Sequence, residues 1–208
     1  MLFRSWIVAT GANADALRKR PGLQGPIDDA FLDSFVMVRP TGAALNEKAG
    51  KWVEAEQTHA IDHWRRQYRG DARVIDDAKV TDADIAANNL VLWGDPSSNK
   101  LLARIADKLP LRWDASALKL GDKSFPAGNH VAVMIFPNPL NPRRYVVLNS
   151  GFTFREYDYL NNARQVAKLP DWAVVDLSKP KTSMAPGGIS DAGFFNETWE
   201  WKPAPVAK

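Results

Sequence analysis

The chain has 208 residues, 45% hydrophobic and 25% charged, a composition that fits one globular domain with its own core. Basic side chains outnumber acidic ones by only 27 to 24, and the longest basic run is residues 18–20, so no nucleic-acid partner is expected. With no cysteine, disulfides, thiolate catalysis and cysteine-ligated metals are excluded, and no apolar run approaches the roughly 20 residues that span a bilayer, so no membrane partner is expected either.

The first 30 residues are rich in Gly, Asn, Arg and Pro and show no sustained hydrophobic period. We interpret residues 1–30 as a linker or a truncated remnant of an upstream domain, 31–202 as a single domain and 203–208 as a tail. The opening MLFRS resembles the translation of a common sequencing adapter, so we expect the natural protein to extend upstream. The apolar stretch behind it is too short and interrupted for a signal peptide.

Strand-like and helix-like patterns alternate from residue 34 to residue 109. Short apolar runs predict strands at 34–39, 72–75 and 89–94. A helix is predicted at 46–68, a second opens with a capping box from Thr81 to Asp84, and a third starts at Asp95-Pro96. The apolar stripe of the first helix contains Val53, Ala60, Ile61, Trp64 and Tyr68.

The second half of the chain predicts further strands. Residues 131–136 and 145–149 are apolar runs joined by a short proline-rich segment, which favours an antiparallel hairpin. A helix from about 156 to 168 and a last strand at 172–175 follow. The whole pattern predicts an α/β fold: a Rossmann- or flavodoxin-like three-layer sandwich with a mostly parallel sheet and an antiparallel hairpin at about 131–149.

The best local candidate for a binding site follows the strand at 89–94. Its polar residues stand where a parallel strand feeds a helix N-terminus, a place where ligands collect in open sheets. Asn149 and Ser150 end another strand and could line the same crevice. The alternative is that these residues only cap the helix. Because no dinucleotide fingerprint or P-loop is present, no cofactor is expected. The candidate ligand-binding residues are Asp95, Ser97, Ser98, Asn99, Asn149 and Ser150.

The three histidines offer weak catalytic or metal patterns. His59 and His63 are four residues apart with Glu56 nearby, but they fall opposite the apolar stripe, so a solvated face is the default and no metal site is expected. A serine could be combined with His130 on paper, but the chain has no Gly-x-Ser-x-Gly nucleophile elbow. We therefore assign no catalytic residue.

The C-terminal region is rich in aromatic residues and has two interpretations. Phe194, Phe195, Trp199 and Trp201 either fold back onto the sheet as a lid or form an exposed patch. An exposed patch would fit a carbohydrate- or cell-surface-binding module, with polysaccharide as a possible partner.

Four segments resemble parts of large bacterial proteins, the secreted hydrolases of the prolyl-oligopeptidase type, an α/β-hydrolase class. The resemblance runs from about residue 18 to about residue 201. Its segments are GLQGPIDDAF at 22–31, VRPTG at 38–42, LVLWGDPSSN at 90–99 and FPNP at 136–139.

In such proteins a region like this follows the hydrolase domain, so the resemblance implies a non-catalytic accessory domain, isolated here as a fragment. The partner would be an upstream serine hydrolase domain, and the location would be secreted or periplasmic. A stand-alone small hydrolase or transferase with a crevice at Asp95–Asn99 remains the rival interpretation.

Overall fold

The computed structural model describes residues 17–153, 168–182 and 185–202. The α-helices are α1 (Glu47–Tyr68), α2 (Asp82–Ala87) and α3 (Lys100–Ile105), with 3-10 turns at Ile27–Phe31, Asp77–Lys79 and Ala106–Lys108. The strands are β1 (Phe35–Arg39), β2 (Val74–Asp76), β3 (Asn89–Leu92), β4 (Leu111–Trp113), β5 (Ala117–Leu120), β6 (Lys123–Pro126), β7 (His130–Asn138), β8 (Asn141–Leu148), β9 (Trp172–Asp176) and β10 (Gly188–Gly193).

Seven strands form one mixed sheet in the order β10-β9-β7-β8-β3-β1-β2. The pairs β2–β1, β1–β3 and β3–β8 are parallel, whereas β8–β7, β7–β9 and β9–β10 are antiparallel. A separate antiparallel sheet contains β4, β5 and β6. The sheet is thus parallel at one end and antiparallel at the other.

The prediction of an α/β fold, a Rossmann- or flavodoxin-like three-layer sandwich with a mostly parallel sheet, is wrong. The described residues are mostly β, with one helix of 22 residues and two of six. Half of the strand pairs in the large sheet are antiparallel, because β7 and β8 form the expected hairpin and β9 and β10 extend the sheet beyond it. The β4–β6 sheet and strand β10 lie where no strand was predicted.

Several local predictions are confirmed. Strands β1, β3 and β9 and helix α1 lie within about two residues of their expected bounds. Thr81 and Asp84 form the predicted capping box at the start of α2. The third helix is different: it begins at Lys100 rather than at Asp95, and Asn99 is its N-cap. The helix predicted at about 156–168 lies outside the described residues, apart from its last position.

Helix α1 buries a different face from the one its apolar stripe predicts. Glu56, Gln57 and His63 are buried together with Ala49, Val53 and Ala60. Ile61 and Trp64 are only partly buried, and Tyr68 is exposed. The pattern of apolar residues predicted that polar residues of α1 face water. The buried face is instead shifted around the helix axis, so polar side chains of α1 lie inside the fold.

The C-terminal aromatic residues fold back onto the sheet, as one of the two interpretations expected. Phe195 and Trp199 are each 1% exposed and pack against Phe136. Phe194 differs, since half of it is exposed. An exposed patch built on Trp199 is therefore excluded, while Phe194 and Trp201 stay nearer the surface.

The N-terminal strap, residues 17–26, lies against this aromatic layer. Lys19 Nζ is 2.5 Å from Asp171 Oδ2 and lies over the ring of Trp199. The Lys19 N–H donates to the carbonyl of Glu197 at 2.8 Å. The Gly25 N–H donates to the Tyr145 hydroxyl at 3.1 Å. The strap is thus fixed by one buried ion pair and by backbone hydrogen bonds.

Candidate functional site

In the parallel part of the sheet, the connections that follow two neighbouring strands run to opposite sides of the sheet. Strands β1 and β3 pair in parallel and end at the same edge. After β1 the chain passes through α1 to β2 at the edge of the sheet, whereas after β3 it continues toward β8 on the other side. Crevices at such divergence points, outside the carboxyl ends of parallel strands, are where ligands bind in open sheets.

A cleft of about 320 Å³ occupies this position, and we call it the switch cleft. Its volume is at the lower end of the range for small-molecule sites. The loop after β1, the loop after β3 and the first half of α1 form its walls. Its lining residues are Arg39, Pro40, Gly42, Ala44, Gly50, Val53, Glu54, Gln57, Gly94, Asp95 and Ser98.

Asp95 holds the two loops of the switch cleft together. Its Oδ1 accepts hydrogen bonds from the N–H groups of Ser97 and Ser98, both at 2.9 Å. Its Oδ2 accepts the N–H of Leu45 across the cleft at 2.9 Å. The carboxylate is buried and its charge is spread over these donors, so Asp95 shapes the cleft walls.

The other predicted residues of this loop differ in burial and in what they contact. Ser98 is buried and its Oγ accepts the Asp95 N–H, whereas Ser97 is exposed and does not line the cleft. Asn99 caps α3, because its Oδ1 accepts the N–H groups of Leu101 and Leu102 at 3.0 and 3.1 Å. The interpretation of this segment as helix capping thus holds for Asn99.

Asn149 links the end of β8 to the loop after β3. Its Oδ1 accepts the Gly94 N–H at 2.7 Å, and its Nδ2 donates to the Gly94 and Ala132 carbonyls at 2.9 and 3.2 Å. Its backbone has a φ of 51°, a left-handed conformation that asparagine tolerates better than most residues. Asn149 is therefore bonded to the residue next to Asp95, but it lines a different, smaller cavity and not the switch cleft.

Gln57 is a residue of the switch cleft that the sequence analysis did not assign to a site. It lines the cleft and is 7% exposed. Its Nε2 has no hydrogen-bond partner among the described residues. A buried amide donor without an acceptor costs about 1–3 kcal/mol, so its presence needs a reason.

A second polar region lies on the other flank of α1, and we call it the polar cluster: Glu56, His59, His63, Ser150 and Thr153. Together with Asn149, Lys168 and apolar neighbours, these residues line a space of about 30 Å³, enough for about one or two water molecules. Ser150 thus lies here and not in the switch cleft, with its Oγ donating to the Gly151 carbonyl at 2.7 Å. The expectation that His59 and His63 face solvent is wrong for His63, which is 2% exposed.

Asp28 connects the polar cluster to the N-terminal part of the chain. Its carboxylate accepts the Thr153 N–H at 2.6 Å and the Thr153 hydroxyl. Burial raises the pKa of Asp28 above its usual value, although these two hydrogen bonds oppose the shift. Within the described residues no group of three or more His, Asp or Glu side chains could hold a metal ion.

His130 begins β7, and its Nδ1 lies 2.9 Å from the Pro126 carbonyl oxygen. Neither the switch cleft nor the polar cluster includes His130 among its lining residues. The hydroxyls of Ser98 and Ser150 hydrogen-bond with Asp95 and Gly151. The pairing of His130 with a serine that the sequence allowed on paper is thus not among the hydrogen bonds of the described residues.

Comparisons with known proteins found no match to a family model, to a curated protein or to a solved structure. The resemblance to hydrolases of the prolyl-oligopeptidase type therefore gains no support from them and stays a prediction. In the described part of the chain, no helix has the length and apolarity required to cross a bilayer.

Proposed function

We propose that this chain is a non-catalytic domain that binds a small organic ligand in the switch cleft. The observation that carries the proposal is Gln57, a buried amide with an unused donor in the wall of a cleft at the carboxyl ends of β1 and β3. A ligand with a carbonyl, hydroxyl or carboxylate oxygen would give this donor its acceptor. Asp95 and Ser98 would hold the walls in place.

A binding role fits the chemistry of the lining better than a catalytic one. The described lining of the cleft contains Asp95 and Ser98 but no histidine that could activate a hydroxyl. Ser98 Oγ already accepts the Asp95 N–H and lies 3.1 Å from Asp95 Oδ1. We propose, on the sequence resemblance alone, that the domain is the accessory domain of a secreted serine hydrolase and that the ligand is part of that enzyme's substrate.

Replacing Gln57 by leucine should separate binding from stability. Leucine fills a similar space without a buried donor, so the free energy of unfolding should rise by about 1 kcal/mol. Ligand binding should be lost. The measurement is an NMR titration of the isotope-labelled chain with a library of small polar fragments, which should shift the amide signals of Gly42 and Gly94 in the native protein only.

The matched control is Gln67→Leu, the same substitution on the same helix at a partly buried position outside the cleft lining. It should leave the fragment-induced shifts unchanged. Fragments that shift no amides around the cleft, or that bind the Gln57→Leu variant equally well, would contradict the proposal.

The rival enzyme interpretation has a direct test. Purified chain is assayed with p-nitrophenyl esters and chromogenic peptides, beside Ser97→Ala and Ser98→Ala. We expect the same background rate for all three proteins, since neither hydroxyl has a histidine partner among the described hydrogen bonds. Turnover that disappears with either alanine would establish a serine-dependent enzyme.

A further inference from the structure

A second groove lies between the turn that joins β5 to β6 and the outer strand β10. We call it the aromatic groove; its volume is about 480 Å³. Trp172, Phe194 and Trp201 supply its apolar surface. Phe194 is half exposed and Trp201 partly so, which is unusual for two large aromatic side chains that are neighbours in space.

The indoles of the groove are held rigidly. The Trp172 and Trp201 rings lie 5.0 Å apart at 74°, an edge-to-face arrangement. Gly121 in the β5–β6 turn has a φ of 59°, and a Cβ at this position would lie 3.4 Å from the Trp201 ring. The turn therefore contacts the indole closely, and the apolar surface is preformed.

Charged side chains border this apolar surface in equal numbers. Lys123 Nζ is 2.7 Å from Asp191 Oδ2, and this hydrogen bond raises the pKa of the Lys123 ammonium. Asp122 and Lys202 also line the groove. Two positive and two negative groups leave no net charge, so the groove is suited to an uncharged ligand that offers many hydrogen-bonding groups.

The neighbouring edge strand is poorly suited to an added peptide strand. The Asp191 carboxylate accepts the N–H of Ala192 at 3.0 Å, so this amide is already engaged. The β9–β10 pairing also shifts register between Ile189 and Asp191. Engaged amides and bulges are features that protect sheet edges from pairing with another chain.

From these features we infer that the aromatic groove binds a neutral oligosaccharide. A pyranose ring carries C–H bonds on its faces and hydroxyls around its edge. The rings of Trp201 and Phe194 contact such a face by dispersion and hydrophobic burial. The balanced charges of Asp122, Lys123, Asp191 and Lys202 hydrogen-bond the hydroxyls, which act as both donors and acceptors.

The test is retention of the purified chain on three insoluble neutral glycans: microcrystalline cellulose, xylan and mannan. We expect binding to at least one of them, and we expect it to survive about 1 M salt, where the Debye length is about 3 Å. Trp201→Ala and Phe194→Ala should each weaken retention about tenfold or more. The Phe194 variant keeps the test valid if Trp201→Ala disturbs folding, which thermal unfolding would show.

The matched control is Ile189→Ala, which removes an exposed apolar side chain from β10 but outside the groove lining. Its retention should equal that of the native chain. The inference is overturned if none of the three glycans retains the chain, if both aromatic variants bind like the native protein, or if high salt abolishes the binding.

Discussion

Asn149→Ala is expected to lower the free energy of unfolding by about 3 kcal/mol or more. The buried amide joins the end of β8 to Gly94 and to the Ala132 carbonyl through three hydrogen bonds. Alanine would leave the Gly94 N–H and two carbonyls without these partners. It would also have to adopt a φ of 51°, a left-handed conformation that costs alanine more than asparagine.

Chemical denaturation with a two-state fit gives the measurement. Asn149→Asp should be comparably destabilising at neutral pH, because one carboxylate oxygen would face the Gly94 and Ala132 carbonyls; protonation at low pH should recover part of the loss. Asn129→Ala is the control: Asn129 is exposed, and its side chain accepts a hydrogen bond from Lys48. If Asn149→Ala lowers the free energy of unfolding no more than the control does, the three hydrogen bonds of Asn149 contribute little to stability.

Lys19→Met should also destabilise the fold, by about 2–3 kcal/mol at neutral pH. Asp171 is fully buried, and Lys19 is its paired cation with only 12% of its side chain exposed. Methionine keeps most of the length of the lysine side chain but leaves the carboxylate without its paired charge. The expected value lies near the lower end for broken buried pairs because Phe195 N–H still donates to Asp171 at 3.0 Å.

The pH dependence gives this prediction a second readout. Burial raises the pKa of Asp171 above its usual value of 3.8, with Lys19 opposing the shift. A carboxyl with a raised pKa in the folded state contributes most stability at low pH, and this contribution decreases as the pH rises through the folded-state pKa. Without Lys19 that pKa rises further, so the cost of Lys19→Met should shrink as the pH falls toward 3.8.

The double variant Lys19→Met with Asp171→Asn removes the buried charge altogether, and most of the lost stability should return. Lys51→Met is the control, since Lys51 pairs with Glu47 on an exposed helix face and should show no measurable change. A cost of Lys19→Met that is constant with pH, or that persists in the double variant, would contradict the role given to the ion pair.

Local elements of this chain are readable from its sequence, whereas the sheet topology is not. The apolar run of β3 and the capping box at Thr81 each carry their own signal. Strand direction depends on the connections between strands, and the alternation of strands and helices in the first half suggested a mostly parallel sheet. Strands β4 to β6 are three or four residues long, too short for a clear alternating pattern.

The candidate site was only partly predictable for a related reason. The loop after β3 was recognised because strand ends followed by Asp, Ser and Asn are typical of the ligand-binding edge of a sheet. Gln57 was missed, since a polar residue on a helix is normally assigned to the solvent face. The buried side of α1 depends on which strands it covers, and that is tertiary information. The accessory role in a hydrolase rests on sequence resemblance and stays a prediction.

The backbone contact between Lys19 and Glu197 brings the two outer segments of the described chain together. In a chain cut to residues 17–202, the closeness of these two segments permits circular permutation, because a short flexible linker can join them. New termini could be opened at Gly70, which is exposed and directly follows the left-handed residue that ends α1. The domain could then be inserted into a loop of a carrier protein, with both of its junctions on one side.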